Sequence, residues 1–504
     1  MKYLQGQHIL ILGLGSSGLA MTRWCAEMGA DITVADTRES PANLQVLKSE
    51  LPEVQFKSGP FAANLIEGTS VRAVFASPGL TPIETLPVIA AAQAMGLWIG
   101  GELSLFVQAL ENLKATRDYA PQVLAITGTN GKTTVTALTG QLIERAGKTV
   151  KVAGNIGPTL LDTLRLSMAT ELPEVWVLEL SSFQLDNAGP FEPSAATVLN
   201  ITQDHLDWHG NMAAYAAAKE KIFGASSLMV LNRDDARVMA MLPEPVRAKL
   251  QKPVVRAHVT YGAEMPQRPG DFGLETVNGM TWLVRALEAD ETRRLRKGEV
   301  EEIHIQRLMP ADALRIRGRH NAVNALAALA LATSTGASLA SMLFGLREYK
   351  GEPHRVEPVA IVNEVEYFDD SKGTNVGATV AALLGLGAER RVVVILGGEG
   401  KGQDFSPLAE PVARYARAVV LIGRDAPLIR EEIKASGVPL IDASTLPEAV
   451  NAAKNMAQAG DAVLLSPACA SFDMFRDYPH RAQVFCQAVA EIAEAAGQSM
   501  EAAL

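Results

Sequence analysis

Apolar positions in this chain come in short solid runs, and nearly every run ends at a loop rich in glycine, serine or aspartate. Residues 8–12, 31–35, 71–76, 123–126, 175–180, 197–201, 365–369, 391–396, 418–422 and 462–465 all read this way. Near-continuous apolar runs bounded by turns are what strands buried on both faces look like, and such strands belong to parallel sheets. Between them the spacing lengthens to that of helices, as in 135–146 (stopped by Gly147), 211–223 and the Ala/Leu-rich stretch 322–346. The repetition of strand, loop and helix predicts an α/β protein, each unit a mostly parallel sheet with flanking helices. Residues 274–284 depart from it, because Asn278-Gly279 between apolar flanks predicts a hairpin. At 504 residues the chain is too long for one core and is expected to form about three units. Polar residues 111–121 read as a linker into the second, and Gly351-Glu352-Pro353-His354-Arg355 as a hinge into the third. The expected division is 1–105, 106–351 and 352–504.

The run 123–126 feeds Thr127-Gly128-Thr129-Asn130-Gly131-Lys132-Thr133-Thr134, and the helical pattern starts at Val135. Strand, glycine loop, Lys-Thr and helix make a phosphate cradle. Glycines let backbone N–H groups turn toward an anion, and the helix N-terminus adds the positive end of its dipole. Lys132 would reach the β- and γ-phosphates, and Thr133 Oγ would ligate Mg²⁺. The strict GxxxxGK[ST] pattern is not met, because Ile126 stands at its first glycine.

A second glycine loop opens the chain. Residues 8–12 enter Gly13-Leu14-Gly15-Ser16-Ser17-Gly18, a helix runs to about residue 28, and the next strand ends at Asp36. This spacing suits a nucleotide or nucleotide-sugar site, with Ser77-Pro78-Gly79 lining the same crevice. NAD is the usual occupant of such a loop, but no catalytic pair for hydride transfer follows it. Further on, Glu179 interrupts the apolar run 175–180, and a carboxylate there is costly unless paired or metal-bound. The run 197–201 delivers Gln203-Asp204-His205-Leu206-Asp207 to a strand end. Ligands of open α/β sheets gather beyond the carboxyl ends of the strands, so Lys132, Glu179 and His205 are expected near one another. Gly154-Asn155-Ile156-Gly157 reads as a turn, Lys219 as a solvated helix lysine, and the doubly charged stretch 288–302 as a surface insertion. In the last third, loops such as Asp370-Ser371-Lys372-Gly373-Thr374-Asn375 and Gly397-Gly398-Glu399-Gly400-Lys401 carry the Lys, Ser, Thr and Asp that a pocket for a charged small molecule needs.

Charge and cysteine content narrow the class. A formal net charge of -10 argues against nucleic-acid binding. Three widely spaced cysteines suit a reducing compartment. The glycine-broken N-terminus does not read as a signal peptide, and polar interruptions of 322–346 favour soluble helices over a membrane span. A cytoplasmic protein without membrane insertion is expected.

Taken in order, these motifs resemble those of the Mur ligases, the ATP-dependent amide-bond formers of peptidoglycan synthesis, nearest the branch that adds D-glutamate. They are GLGSSG with Asp36-Thr37-Arg38, ASPG at 76–79, TGTNGKTT at 127–134, GNIG at 154–157 and LELSSFQL at 178–185. DHLD at 204–207, GRHNAVNA at 318–325, PHR at 353–355, DSKGTN at 370–375, GGEGKGQDFSPL at 397–408 and SPACASFD at 466–473 complete the set. Residues 111–120 and 266–310 run longer than the family pattern. The resemblance implies a Rossmann-like N-terminal domain for the UDP moiety, a P-loop-type central ATPase domain and a Rossmann-like C-terminal domain for the amino acid. By it, Thr129, Asn130, Gly131, Lys132, Thr133, Thr134, Val135, Asn321, Asn324, Arg355 and Asp370 match ATP-binding positions. Ser16, Ser17, Asp36, Thr37, Arg38, Ser77, Pro78, Gly79, Asn155 and His205 match the UDP-sugar site. Lys372, Thr374, Lys401, Ser471 and Tyr478 match the D-glutamate pocket, with Tyr478 where the family often has Phe. The catalytic matches are Lys132, Glu179, His205 and Lys219, the last corresponding to a lysine carbamylated by CO₂. Thr133, Glu179, His205 and Lys219 match metal-side positions for two Mg²⁺. The implied activity is ligation of D-glutamate to UDP-N-acetylmuramoyl-L-alanine by a monomer, through an acyl phosphate. A sister ligase with another acceptor, a folylpolyglutamate synthase-like ligase, and a non-catalytic dinucleotide-binding protein are the alternatives.

Overall fold

The computed structural model describes residues 3–246, 254–289 and 302–498; most of the charged stretch expected as a surface insertion lies outside them. The N-terminal sheet comprises β1 (His8–Leu12), β2 (Asp31–Asp36), β3 (Gln55–Ser58), β4 (Val71–Ala76) and β5 (Trp98–Gly100), all parallel, in the order β3-β2-β1-β4-β5. The central sheet comprises β6 (Gln122–Thr127), β7 (Val150–Gly154), β8 (Val175–Glu179), β9 (Ala195–Val198), β10 (Leu228–Asn232) and β11 (His258–Tyr261), also parallel, in the order β11-β10-β9-β6-β8-β7. An antiparallel sheet of β12 (Phe272–Val277), β13 (Met280–Glu288) and β14 (Ile303–Pro310) follows. The expected hairpin turn sits between β12 and β13, with Asn278 at φ 51 and Gly279 at φ 81. The C-terminal sheet joins β15 (Glu357–Val362), β16 (Val365–Asp369), β17 (Val392–Gly397), β18 (Ala416–Ile422), β19 (Leu440–Asp442) and β20 (Ala462–Leu465) in the order β15-β16-β20-β17-β18-β19, with β15 as its antiparallel edge.

The apolar runs are interior for the expected reason. Every residue of β8 is buried, as is every residue of β17, because helices cover both faces. The helix Arg319–Thr333 packs its alanines and leucines on the helix Lys132–Arg145 and the central strands. No helix among the described residues is long and apolar enough to cross a membrane.

Two sequence expectations need correction. The expected strand 197–201 starts at Ala195 and ends at Val198. The polar stretch 111–121 is not an open linker: most of it continues the helix Glu102–Arg117, into which the 105/106 division also falls. Leu103, Phe106, Ala109 and Leu113 recur at helical spacing and are buried in a core that spans the first two sheets, while Glu111, Lys114 and Arg117 cover the outer face. The first residue of this helix ties the two domains together. Glu102, 2% exposed, accepts hydrogen bonds from the Leu161 N–H of the central domain (3.0 Å) and from the Ser17 hydroxyl. Burial raises its carboxyl to about 7.

Candidate active site

The loop after β6 is shaped by two glycines. Gly128 (φ +150) presses on Leu199, where a Cβ would stand 2.9 Å from the leucine Cβ. Gly131 (φ +83) caps the helix Lys132–Arg145 without a side-chain hydrogen bond, and a Cβ there would meet Asn324 Oδ1 at 2.9 Å. The first helical turn is thus left to an anion. Lys132 Nζ donates to the carbonyls of Gly128 (2.9 Å) and Thr129 (2.8 Å). Lys219, 1% exposed and so not the solvated lysine composition suggested, comes from the helix Met212–Glu220. Its Nζ donates to the same Gly128 carbonyl (2.8 Å) and to Thr127 Oγ1 (3.2 Å). Burial, and then the neighbouring Lys132 charge, hold the Lys219 amine well below the ordinary lysine range.

Glu179 ends β8, 1% exposed. Its Oε1 accepts from Asn155 Nδ2 at 2.9 Å, while Oε2 is buried without a partner among the described residues. The approach that brings Asn155 there requires Gly154, since a Cβ at that residue would lie 2.2 Å from the Glu179 carbonyl oxygen. His205 takes a left-handed backbone (φ 53), with its ring 4.8 Å from that of Phe183 and Nε2 3.5 Å from Asp204 Oδ2. Burial lowers its pKa.

The C-terminal sheet closes over these groups. Asn375 and Asn130 exchange two amide hydrogen bonds (3.2 and 3.0 Å), the Asp404 N–H donates to Gln203 Oε1 (3.3 Å), and Arg355 Nη2 donates to Thr133 Oγ1. A cleft of about 680 Å³ results. Lys132, Thr133, Asn155, Glu179 and His205 line it from the central domain; Arg355, Lys372, Thr374, Lys401 and Tyr478 line it from the C-terminal side. Lys372 Nζ sits 4.1 Å from the Tyr478 ring centroid, and burial brings its amine down to about 8. A smaller recess of about 130 Å³ shares Asn130, Gly131, Arg355 and Lys372 with the cleft and is walled by Asn321, Asn324, Asp370, Ile316 and Ala382. Burial raises the Asp370 carboxyl to about 7 even though it accepts from Ser466 Oγ at 2.6 Å. Four cationic side chains (Lys132, Arg355, Lys372 and Lys401), a helix N-terminus and a carboxylate oxygen unpartnered among the described residues, all in one cleft, suit a polyanion with a cation beside it.

Some expected residues lie elsewhere. Val135 is wholly buried in the core, and Ser471 is buried next to Ala470, which lines the cleft in its place. The N-terminal set forms its own constellation at the carboxyl ends of β1, β2 and β4. Asp36 accepts from the N–H groups of Leu14 (2.7 Å) and Arg38 (2.9 Å) and from the Arg38 guanidinium (2.8 Å). Burial opposes its ionisation, but these bonds hold the carboxyl down at about 2. Ser77 Oγ donates to the Gly13 carbonyl (3.1 Å); Ser16, Thr37, Arg38 and Gly79 are exposed; Ser17 is turned to Glu102. Sequence reasoning did not single out Asn200, which clasps the glycine loop through Asn130 N–H and C=O (2.9 and 3.1 Å), nor Asn375, His354 or Glu102. For His354 the signal was present, in the PHR motif that also supplies Arg355.

Comparison with known proteins finds relatives along the chain. The Mur ligase MurD-like N-terminal domain matches residues 7–101, the Mur ligase middle domain 126–332 and the Mur ligase glutamate ligase domain 354–469. The UDP-N-acetylmuramoylalanine--D-glutamate ligase of Albidiferax ferrireducens is 70% identical over 504 residues, all of both chains. The enzyme of the same name from a Polaromonas species is 58% identical, covering 99% of this chain and 100% of its own. In fold, the chain is similar to MurF of Acinetobacter baumannii (TM-score 0.56, 16% identity, 96% and 91% of the two chains). It is also similar to the UDP-N-acetylmuramate-alanine ligase MurC of Thermotoga maritima (TM-score 0.53, 20% identity, 95% and 98%). Three matched domain models spread along the chain and full-length identity of this order place the chain in the Mur ligase family.

Proposed function

We propose that this protein joins D-glutamate to UDP-N-acetylmuramoyl-L-alanine in an ATP-driven ligation, as a cytoplasmic monomer supplying peptidoglycan precursors. The observation that carries the reading is the single cleft in which the glycine loop of Lys132 faces Lys372 and Lys401 of the C-terminal domain. The relatives' shared name supplies the substrates. The working division is 1–105 for the UDP-sugar, 106–351 for ATP and 352–504 for the amino acid.

A carboxylate is a poor electrophile, and its phosphorylation by ATP supplies a leaving group. Two anions meet in that step. Lys132 and the N-terminus of its helix hold the transferring phosphoryl group and offset the repulsion. Thr129 to Thr134 cradle the phosphates, and the recess of Asn321, Asn324 and Asp370 takes the nucleoside, with Arg355 over the phosphates. Asp36, Thr37, Arg38, Ser16, Ser17, Ser77, Pro78 and Gly79 form the UDP end of the sugar site. Asn155 and His205 hold its alanyl end near Lys132. The D-glutamate carboxylates pair with Lys372, Lys401 and Thr374, beside Tyr478. Amine attack on the acyl phosphate gives a tetrahedral intermediate that collapses to amide and phosphate. Closure of the C-terminal domain excludes water from the acyl phosphate.

The residues fit Mg²⁺. Glu179 Oε2 is buried without a partner among the described residues, an oxygen suited to a hard cation, and Thr133 and His205 line the same cleft. The ion supplies charge neutralisation at the phosphoryl group. Lys219 fits a carbamate: its amine is buried and uncharged in tendency, and a carbamate N–H could still donate to Gly128. As an anion, that group would provide oxygen ligands for a second Mg²⁺.

The test is phosphate release from ATP and Mg²⁺ with UDP-N-acetylmuramoyl-L-alanine and a panel of amino acids of both hands. Release that requires D-glutamate and the UDP-sugar together is the expected result. Release with another acceptor would reassign the C-terminal pocket to a sister ligase.

A further inference from the structure

Beside the lysines of the C-terminal domain, the cleft holds an imidazole that the reading above does not use. His354 lies where the hinge meets β15, and its backbone is left-handed at φ 63, a conformation a residue with a side chain keeps only when its surroundings enforce it. They do so here. The His354 N–H donates to Glu357 Oε2 (2.8 Å), the His354 carbonyl accepts from the Lys372 N–H (3.2 Å), and Nδ1 is bonded to Asp369 Oδ2 at 2.6 Å. Asp369 ends β16 with no exposed surface, and its other oxygen accepts from the Ser371 N–H at 2.8 Å. With Nδ1–H held by a carboxylate, the neutral ring carries its lone pair on Nε2. Among the described residues Nε2 has no protein partner, and the ring lines the cleft next to Lys372 and Tyr478, the latter at 6.0 Å between centroids.

We propose that His354, oriented by Asp369, is the general base that receives the proton of the incoming ammonium group; the proposal rests on the ligase reading above. An amino acid reaches the cleft as an ammonium, which has no lone pair to attack with. One N–H proton passes to His354 Nε2, and the resulting imidazolium is stabilised by Asp369. The freed lone pair forms the N–C bond to the acyl carbon. The C–O bond to phosphate then breaks, and the leaving phosphate takes up the second N–H proton, giving amide and hydrogen phosphate. His354 returns its proton to solvent when the cleft opens. His354 is the catalytic residue of this step, and Asp369 is a positioning residue. The charged and titratable groups around the ring are Asp369, Glu357, Arg355, Lys372 and Tyr478, with Cys486 facing the two carboxylates from the C-terminal helix.

The experiment uses the full chain and its His354→Gln and Asp369→Asn variants in two half-reactions. Acyl phosphate is trapped with borohydride in the absence of D-glutamate. Acyl transfer is then followed with D-glutamate or with hydroxylamine, an amine already unprotonated at neutral pH. His354→Gln is expected to form acyl phosphate at close to the wild-type rate and to lose roughly 10²–10⁴-fold in transfer to D-glutamate. It should react with hydroxylamine like wild type, and its deficit should shrink as pH rises toward the amine's own pKa. Asp369→Asn should show the same pattern more weakly. Equal loss with both acceptors, loss of acyl-phosphate formation itself, or a deficit independent of pH would overturn the assignment. Failure of the wild-type protein to form acyl phosphate would overturn the ligase reading and this step with it.

Discussion

Lys132 and Lys219 donate to one and the same acceptor, the Gly128 carbonyl, at 2.9 and 2.8 Å. Two ammonium groups so close in a buried site disfavour each other, and burial together with the Lys132 charge holds the Lys219 amine well below the ordinary lysine range, which favours its neutral form. A neutral amine adds CO₂. Depleting bicarbonate should therefore lower turnover, and restoring it should recover the rate. A ¹³C carbamate signal from labelled bicarbonate should be present in the native protein and absent from Lys219→Ala. That variant should lose roughly 10²–10³-fold in kcat, as when one charge-stabilising group is removed.

Lys132→Ala leaves the N-terminal constellation untouched, since Asp36 and its partners lie outside the cleft. Turnover should be abolished while calorimetry shows UDP-sugar binding close to wild type. Near-normal turnover would contradict the phosphate-cradle assignment.

Closure is written into Gly377. A Cβ there would stand 2.7 Å from Thr202 Oγ1 and 3.1 Å from Asn130 Nδ2, across the contact between the C-terminal and central domains. Gly377→Val should hold the domains apart. We expect a fall in kcat of about tenfold or more, a displacement of the size that costs up to about 10²-fold when reacting groups are misplaced. Small-angle scattering should report a larger radius of gyration, with thermal stability nearly unchanged.

Glu102 gives a pH signature of folding. Its folded pKa of about 7 lies above the ordinary 4.5, so the folded state binds the proton more tightly than the unfolded chain. The stability this contributes is complete below 4.5 and is lost as pH rises through about 7. Glu102→Gln should flatten that slope and be the more stable protein at pH 8, by about 1–3 kcal/mol. Urea unfolding of both proteins across this range checks the sign.

Much of this architecture was legible in the sequence because local pattern determines it. β1, β4, β16 and β20 fall on the apolar runs that predict them, and the hairpin turn falls on Asn278-Gly279. The helix Glu102–Arg117 was partly misread because its charged outer face dominates the composition, while its buried face shows only in a spacing interrupted by polar residues. The closed cleft was illegible in kind. Asn130 and Asn375 are 245 residues apart, and nothing in either loop announces the other. His354 and Asp369 become a pair only through the antiparallel β15–β16 turn. Lys219 reads as a surface lysine until the fold buries it.

The central claim is that the alanyl carboxylate is phosphorylated before the amide forms. UDP-N-acetylmuramoyl-L-alanine labelled with ¹⁸O in that carboxylate tests it directly. The account predicts one ¹⁸O in every inorganic phosphate released as D-glutamate is joined. Unlabelled phosphate would contradict it, because the carboxylate oxygen would then never have been bonded to phosphorus.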